Sequence, residues 1–272
     1  MIKNKKAFSY LPLIALILVI IFIIGLVAVP KFKSSVFHSK VTGNAYLLPP
    51  PSKEESKNPI GVAITSPPSK AYKFLQIGID GSPIRYDPCR PVHYVVNPLN
   101  SPAFGDRIVK EAIAEVSRYS GLQFIYDGPT KELYTTDRQA YQPLVYGKRW
   151  APVLITWSTA KQRPELIADG AGKVLGEGGS VSFALENSPT IYVSGRLDIE
   201  IENLASVVKE SDGDVRVKAI ILHELGHLLG LDHPDDPWQI MFPEASMQVT
   251  DFNIGDKAGL AELGRGPCNP KI

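Results

Sequence analysis

Charge imbalance, cysteine and histidine are all scarce in this chain. Lysine and arginine number 29 against 28 acidic residues, a formal net charge of +1, which argues against a general polyanion-binding surface and so against nucleic acid as a partner. The two cysteines, Cys89 and Cys268, sit at no metal-ligand spacing to each other or to a histidine, which removes thiolate metal sites. The glycine-rich stretch ADGAGKVLGEGGSVSF, residues 168–183, lacks the GxxxxGKS/T spacing and no helical pattern follows it. A phosphate loop is thereby set aside in favour of a loop and an edge strand. No internal repeat is present.

Of five histidines, three fall in HELGHLLGLDH, residues 223–233. Residues four apart share a helix face, so His223 and His227 can present two imidazoles to one ion. A catalytic zinc takes three protein ligands and keeps a fourth position for water. His233 is the third candidate, yet six residues beyond His227 a straight helix has turned about 600°. The helix must therefore end first, and Gly230 stands where a left-handed residue would close it and let the chain swing His233 back. Glu224, beside the first ligand, is placed for a general base. The competing reading is a buried amphipathic helix over 219–229 whose histidines are merely packed; the glycine and third histidine at their offsets weigh against it.

HELGHLLGLDH resembles the HExxHxxGxxH zinc signature of the metzincin metalloproteases. QIMFP, residues 239–243, is similar to their Met-turn, with Met241 at a spacing that resembles the matrixin branch, and DFNIGDKAGLAELG, residues 251–264, resembles the helix that ends matrixin catalytic domains. The resemblance covers roughly the last fifty residues closely, and 71–222 only by order of elements. Pro234 departs from it, standing where matrixins usually carry a small hydroxyl residue. The resemblance implies an α+β, metzincin-like fold: a twisted mixed sheet, an active-site helix and a smaller C-terminal subdomain. It implies a zinc endopeptidase with metal ligands His223, His227 and His233, base Glu224, and Met241 packed beneath them. One zinc is expected, since His38 and His93 cannot furnish a second, structural site. By order of elements Gly179, Ser180, Val181 and Ser182 lie on the edge strand against which metzincin substrates pair, and residues 244–252 wall the pocket beyond the cut. The resemblance also admits Ca²⁺ at Asp212 or Asp214, against the stronger reading that one of them caps the active-site helix. DPCRP around Cys89 is superficially similar to a cysteine-switch propeptide, but it lacks the flanking glycine and aspartate, so no switch is expected. The two rival functions are a zinc hydrolase of cell-wall peptide cross-links and an inactive peptide-binding ectodomain.

Residues 11–29 carry no charge, and with residues 7–10 the apolar run reaches twenty-three, long enough to span a bilayer and long for a cleaved signal. Lys3, Lys5 and Lys6 precede it, which places the N-terminus in the cytoplasm. The expectation is a single-pass anchor over 1–30 with an extracytoplasmic catalytic domain, the alternative being secretion after signal cleavage. Residues 31–70, rich in Pro, Ser and Lys, read as a tether. The domain is expected over 71–272, with strands near 91–98, 122–127, 153–158 and 190–199 and a helix over 105–121 capped by Asp106 and stopped by Gly121. An even pair of cysteines outside the cytoplasm reads as a Cys89–Cys268 disulfide joining the two ends of the domain.

Overall fold

β-branched and aromatic residues cluster at 92–96, 153–158 and 191–200, and these runs are buried on both faces, the pattern of strands in a covered, mainly parallel sheet. The computed structural model describes residues 37–41, 48–164, 174–186, 188–244, 246 and 248–272. In chain order the elements are β1 (Phe37–Val41), β2 (Lys73–Phe74), β3 (Arg85–Tyr86), β4 (Val92–Val96), α1 (Gly105–Ser120), β5 (Phe124–Pro129), a one-turn α2 (Pro143–Tyr146), β6 (Val153–Ser158), β7 (Gly176–Phe183), β8 (Ile191–Glu200), α3 (Gly213–Leu229), β9 (Leu231–Asp232) and α4 (Ile254–Leu263). The apolar run at residues 7–29 lies outside the described residues, among which no helix is long and apolar enough to cross a membrane.

The main sheet runs β1-β7-β8-β6-β4-β5, with β3 pairing the start of β8. Pairs among β3, β4, β5, β6 and β8 are parallel, and β7 runs antiparallel to β8. Helices α1 and α3 pack against one face over a core that includes Ile108, Val116, Leu197, Ile199, Ile221 and Leu225. A smaller cluster of Val181, Phe183, Ile191, Val193 and Ile272 forms separately from it. The expected α+β fold thus appears as a mixed sheet of mostly parallel strands with helices packed on it, and a C-terminal segment that includes α4 follows α3.

α1 buries Ile108, Val109, Ala112, Ile113, Val116 and Tyr119, the expected stripe, and stops at Gly121 with φ 79°. Burying one such aliphatic side chain contributes roughly 1.5–3 kcal/mol, so Val116→Asp would break this helix's seat. Asp106 is not its cap: Phe104 holds that position, and Asp106 lies in the first turn where its carboxylate binds Lys110 at 2.8 Å. The reason is register, since the helix begins two residues earlier than a cap at Asp106 would set it.

The segment read as a tether differs most from expectation. β1 adds to the sheet, parallel to β7, from Phe37↔Gly179 to Val41↔Phe183. Farther along, Ser56 N–H donates to Cys89 O at 2.7 Å, Ile60 N–H to Pro88 O at 3.0 Å and Ile64 N–H to Arg118 O at 3.1 Å. Backbone hydrogen bonds to the domain, with Leu48 packed on the smaller cluster and Glu54 3.0 Å from His93 Nε2, hold residues 48–70 as a strap. Cys89 and Cys268 are joined in a disulfide with their Cα atoms 5.3 Å apart, so Cys89 has no thiol to offer a metal.

Candidate metal centre

Helix α3 carries His223 and His227 one turn apart, with their rings nearly perpendicular and their centroids 4.7 Å apart. Gly230 ends the helix with φ 120°, a conformation that costs glycine least. Leu231 and Asp232 then pair antiparallel with Phe74 and Lys73 as β9 against β2. That pairing turns the chain so that His233 faces back toward the helix.

The three Nε2 atoms converge, with His223–His227 at 3.0 Å, His227–His233 at 3.1 Å and His223–His233 at 3.2 Å. Protons are held on the other side of two rings, where His223 Nδ1 donates to Ile240 O at 2.7 Å and His227 Nδ1 to Leu231 O at 2.8 Å. The Nε2 atoms of those two rings therefore present lone pairs to one point. A tetrahedral ion with metal–nitrogen distances of 2.0–2.1 Å needs nitrogens about 3.3 Å apart, which these separations approach. Burial, with the charge of His233, pushes the His223 imidazole down to about 3, and burial likewise lowers His233. The His223 and His233 rings are thus kept neutral, the form that ligates. These residues could hold a metal ion.

Glu224 is wholly buried, and among the described residues its carboxylate oxygens meet no side-chain partner, the Gly178 backbone being the nearest group that favours its charged form. Burial, with the nearby charge of Glu177 as a lesser cause, raises its carboxyl well above the usual carboxylate range. A buried, desolvated carboxyl thus stands next in sequence to His223, one of the three converging imidazoles.

Residues 141–263 match the matrixin family of peptidases. Over that stretch the chain is similar to matrixins. The rabbit (Oryctolagus cuniculus) macrophage metalloelastase is 32% identical over 109 residues, which cover 38% of this chain and 22% of that protein. The matched stretch therefore spans about a fifth of that relative's length.

Met241, expected in the Met-turn, is 1% exposed and lies under α3, where a Cβ on Gly226 would sit 2.2 Å from its sulfur. Any side chain at 226 would drive the methionine away from the ligands. The Met-turn is clamped by Asp256 of α4, which accepts from Ile240 N at 2.8 Å and Met241 N at 3.3 Å, while Gln239 Oε1 accepts from Gly255 N at 2.8 Å. Sequence reasoning missed Asp256 and Gln239. The one signal was the capping box that Asn253 and Asp256 form at the start of α4, and it points to a helix cap rather than to a metal site.

Gly179, Ser180, Val181 and Ser182 all lie on β7, which packs beside α3, but their free edge is taken by β1. Ser180 is turned inward, donating to Leu228 O at 2.7 Å and meeting Tyr86 OH at 2.7 Å. Of the expected pocket wall, Phe252 belongs to the core, 2% exposed and edge-on to Tyr119, because α4 draws its N-terminal neighbour inward. The calcium expectation finds no support. Asp212 binds Arg216 Nε at 2.9 Å and Asp214 binds Arg107 at 2.5 Å. Asp212 occupies the N-cap position of α3 without a capping hydrogen bond. Apart from the three histidines, the one metal-capable trio among the described residues contains the disulfide cysteines.

Proposed function

We propose that this chain is a zinc-dependent endopeptidase acting outside the cytoplasm. The convergence of three Nε2 atoms beside the buried Glu224 carries the reading. His223, His227 and His233 would hold the zinc, which supplies Lewis acidity that brings a water's pKa toward neutrality and polarises a carbonyl. Glu224 accepts the water's proton on a carboxylate oxygen. Its desolvated carboxyl retains that proton readily and delivers it to the departing amine. Gly226 and Met241 keep the ligand platform from shifting during this transfer.

Substrate would lie extended along residues 179–182, its backbone adding to the sheet at the β7 edge. β1 uses that same edge, so substrate competes with it. The disulfide suits an oxidising compartment, which agrees with the reading of residues 7–29 as an anchor or signal that takes the domain out of the cytoplasm. Incubating the full chain with a diverse peptide library, with chelator and with zinc restored, tests the function. Internal cleavage that chelator abolishes and zinc restores is the expected outcome. Activity confined to cell-wall cross-links, or none at all, would overturn it.

A further inference from the structure

β7 presents Gly176 and Gly178 to α3, and both touch Glu224. A Cβ added at Gly176 would lie 2.8 Å from Glu224 Cγ and 3.0 Å from Oε1, and one at Gly178 would lie 2.2 Å from its carbonyl oxygen. The wall beside the base is therefore bare strand backbone. Glu177, between the two glycines, projects to the opposite face because side chains alternate along a strand. There it stands directly across the ladder from Asp198 of β8. Both carboxylates are buried, 5% and 0% exposed. Like charges in cross-strand register push strands apart, and more strongly where water is excluded.

Arg163, 3% exposed, bridges them: Nη1 donates to Asp198 Oδ2 at 2.7 Å and Nη2 to Glu177 Oε2 at 2.5 Å. The other Asp198 oxygen accepts from Thr156 Oγ1 at 2.5 Å and Ser158 Oγ at 2.6 Å. The Tyr134 ring stacks on the guanidinium, 3.6 Å away. The proposed reaction uses none of these groups directly.

We propose that Arg163 is a positioning residue for Glu224. By tying Glu177 to Asp198 it holds β7 against β8 at the spacing that seats the Gly176 and Gly178 backbone against the base. The inference rests on the endopeptidase reading. A planar guanidinium suits the task because two fixed donors serve two carboxylates at once, which an ammonium point charge does less well.

The test compares kcat, KM and bound zinc in the full chain for wild type, Arg163→Met, Arg163→Lys, Glu177→Gln and the double variant Arg163→Met/Glu177→Gln. Arg163→Met is expected to lower kcat on the order of 10²-fold, the cost of displacing a reacting group by about 1 Å, with zinc content and KM retained. Arg163→Lys recovers part of that loss. The double variant recovers more than the two single changes predict, because one of the opposed carboxylates is gone. An unchanged kcat in both Arg163 variants overturns the proposal, and so does a loss in which kcat, KM and zinc content decline together. If Arg163→Met does not fold, the lysine variant alone decides by the same split between kcat and KM. A wild-type chain without chelator-sensitive hydrolysis overturns the endopeptidase reading, and this role with it.

Discussion

His223 and Asp256 are joined through a single peptide neighbour. Ile240 accepts the His223 Nδ1 proton on its carbonyl and gives its own N–H to the Asp256 carboxylate. The orientation of a metal-ligand ring on α3 therefore depends on a side chain from α4, thirty-three residues further along by their numbers. Asp256 is 0% exposed, so the link is shielded from solvent and from competing water.

Asp256→Ala should weaken metal binding about 10- to 100-fold, the usual consequence of removing an outer partner of a ligating histidine. Competition with a chromophoric chelator measures it. Unaltered affinity would show that the Met-turn keeps its place without the carboxylate.

Glu224→Gln should leave bound zinc at wild-type level while removing most hydrolysis, by about 10²–10⁴-fold, since only the proton acceptor changes. His227→Ala should instead lose the metal. Metal analysis beside single-turnover rates separates the two, and near-full turnover in the glutamine variant would remove Glu224 from the mechanism.

The metal-free protein should lose stability on acidification. His223 has its folded pKa depressed to about 3 from 6.5, so the stabilisation is present above pH 6.5 and disappears as pH falls toward 3, where the buried ring must take a proton. Burial lowers His233 in the same direction. Thermal unfolding of the chelated protein between pH 7 and pH 4 should show a falling midpoint. Saturating zinc should flatten that slope above about pH 5, because bound metal opposes protonation of the same nitrogens. Glu224, raised by burial, opposes that slope, so the histidine part is read in Glu224→Gln, where a midpoint that does not fall with pH would contradict the burial of a neutral ring.

Because β1 pairs with β7 at Ser39↔Val181 and Lys40↔Ser182, breaking that pairing should open the edge to substrate. Adjacent strand residues point their N–H groups to opposite sides, so one of Ser39→Pro and Lys40→Pro removes a ladder bond to β7. That variant should show a KM several-fold lower with kcat unchanged, a shift set by the about 1 kcal/mol a hydrogen bond contributes. Identical KM values in both variants and wild type would place substrate elsewhere.

The meeting of the three histidines was legible in the sequence because its geometry is local. A spacing of four on a helix puts His223 and His227 on one face, and Gly230 marks the turn that returns His233; both follow from backbone geometry over a dozen residues. The stripe on α1 and the run at 153–158 were legible for the same reason, since each repeats with the period of its own element. What lies between elements was not. Residues 31–70 look too polar to fold, yet β1 and the strap are held by backbone N–H and C=O groups, which every sequence carries alike and which leave no mark in composition. Asp256 looks like a helix cap, Glu177 a polar residue between glycines, and Arg163 one cation among many. Only folding brings Asp256 under Ile240, and Glu177 opposite Asp198 with Arg163 between them. The sequence by itself determined that His223, His227 and His233 can meet at one point with Glu224 next to the first of them. The tertiary structure decided what orients those residues and what occupies the β7 edge beside them, because those contacts join segments whose separation along the chain no local period records.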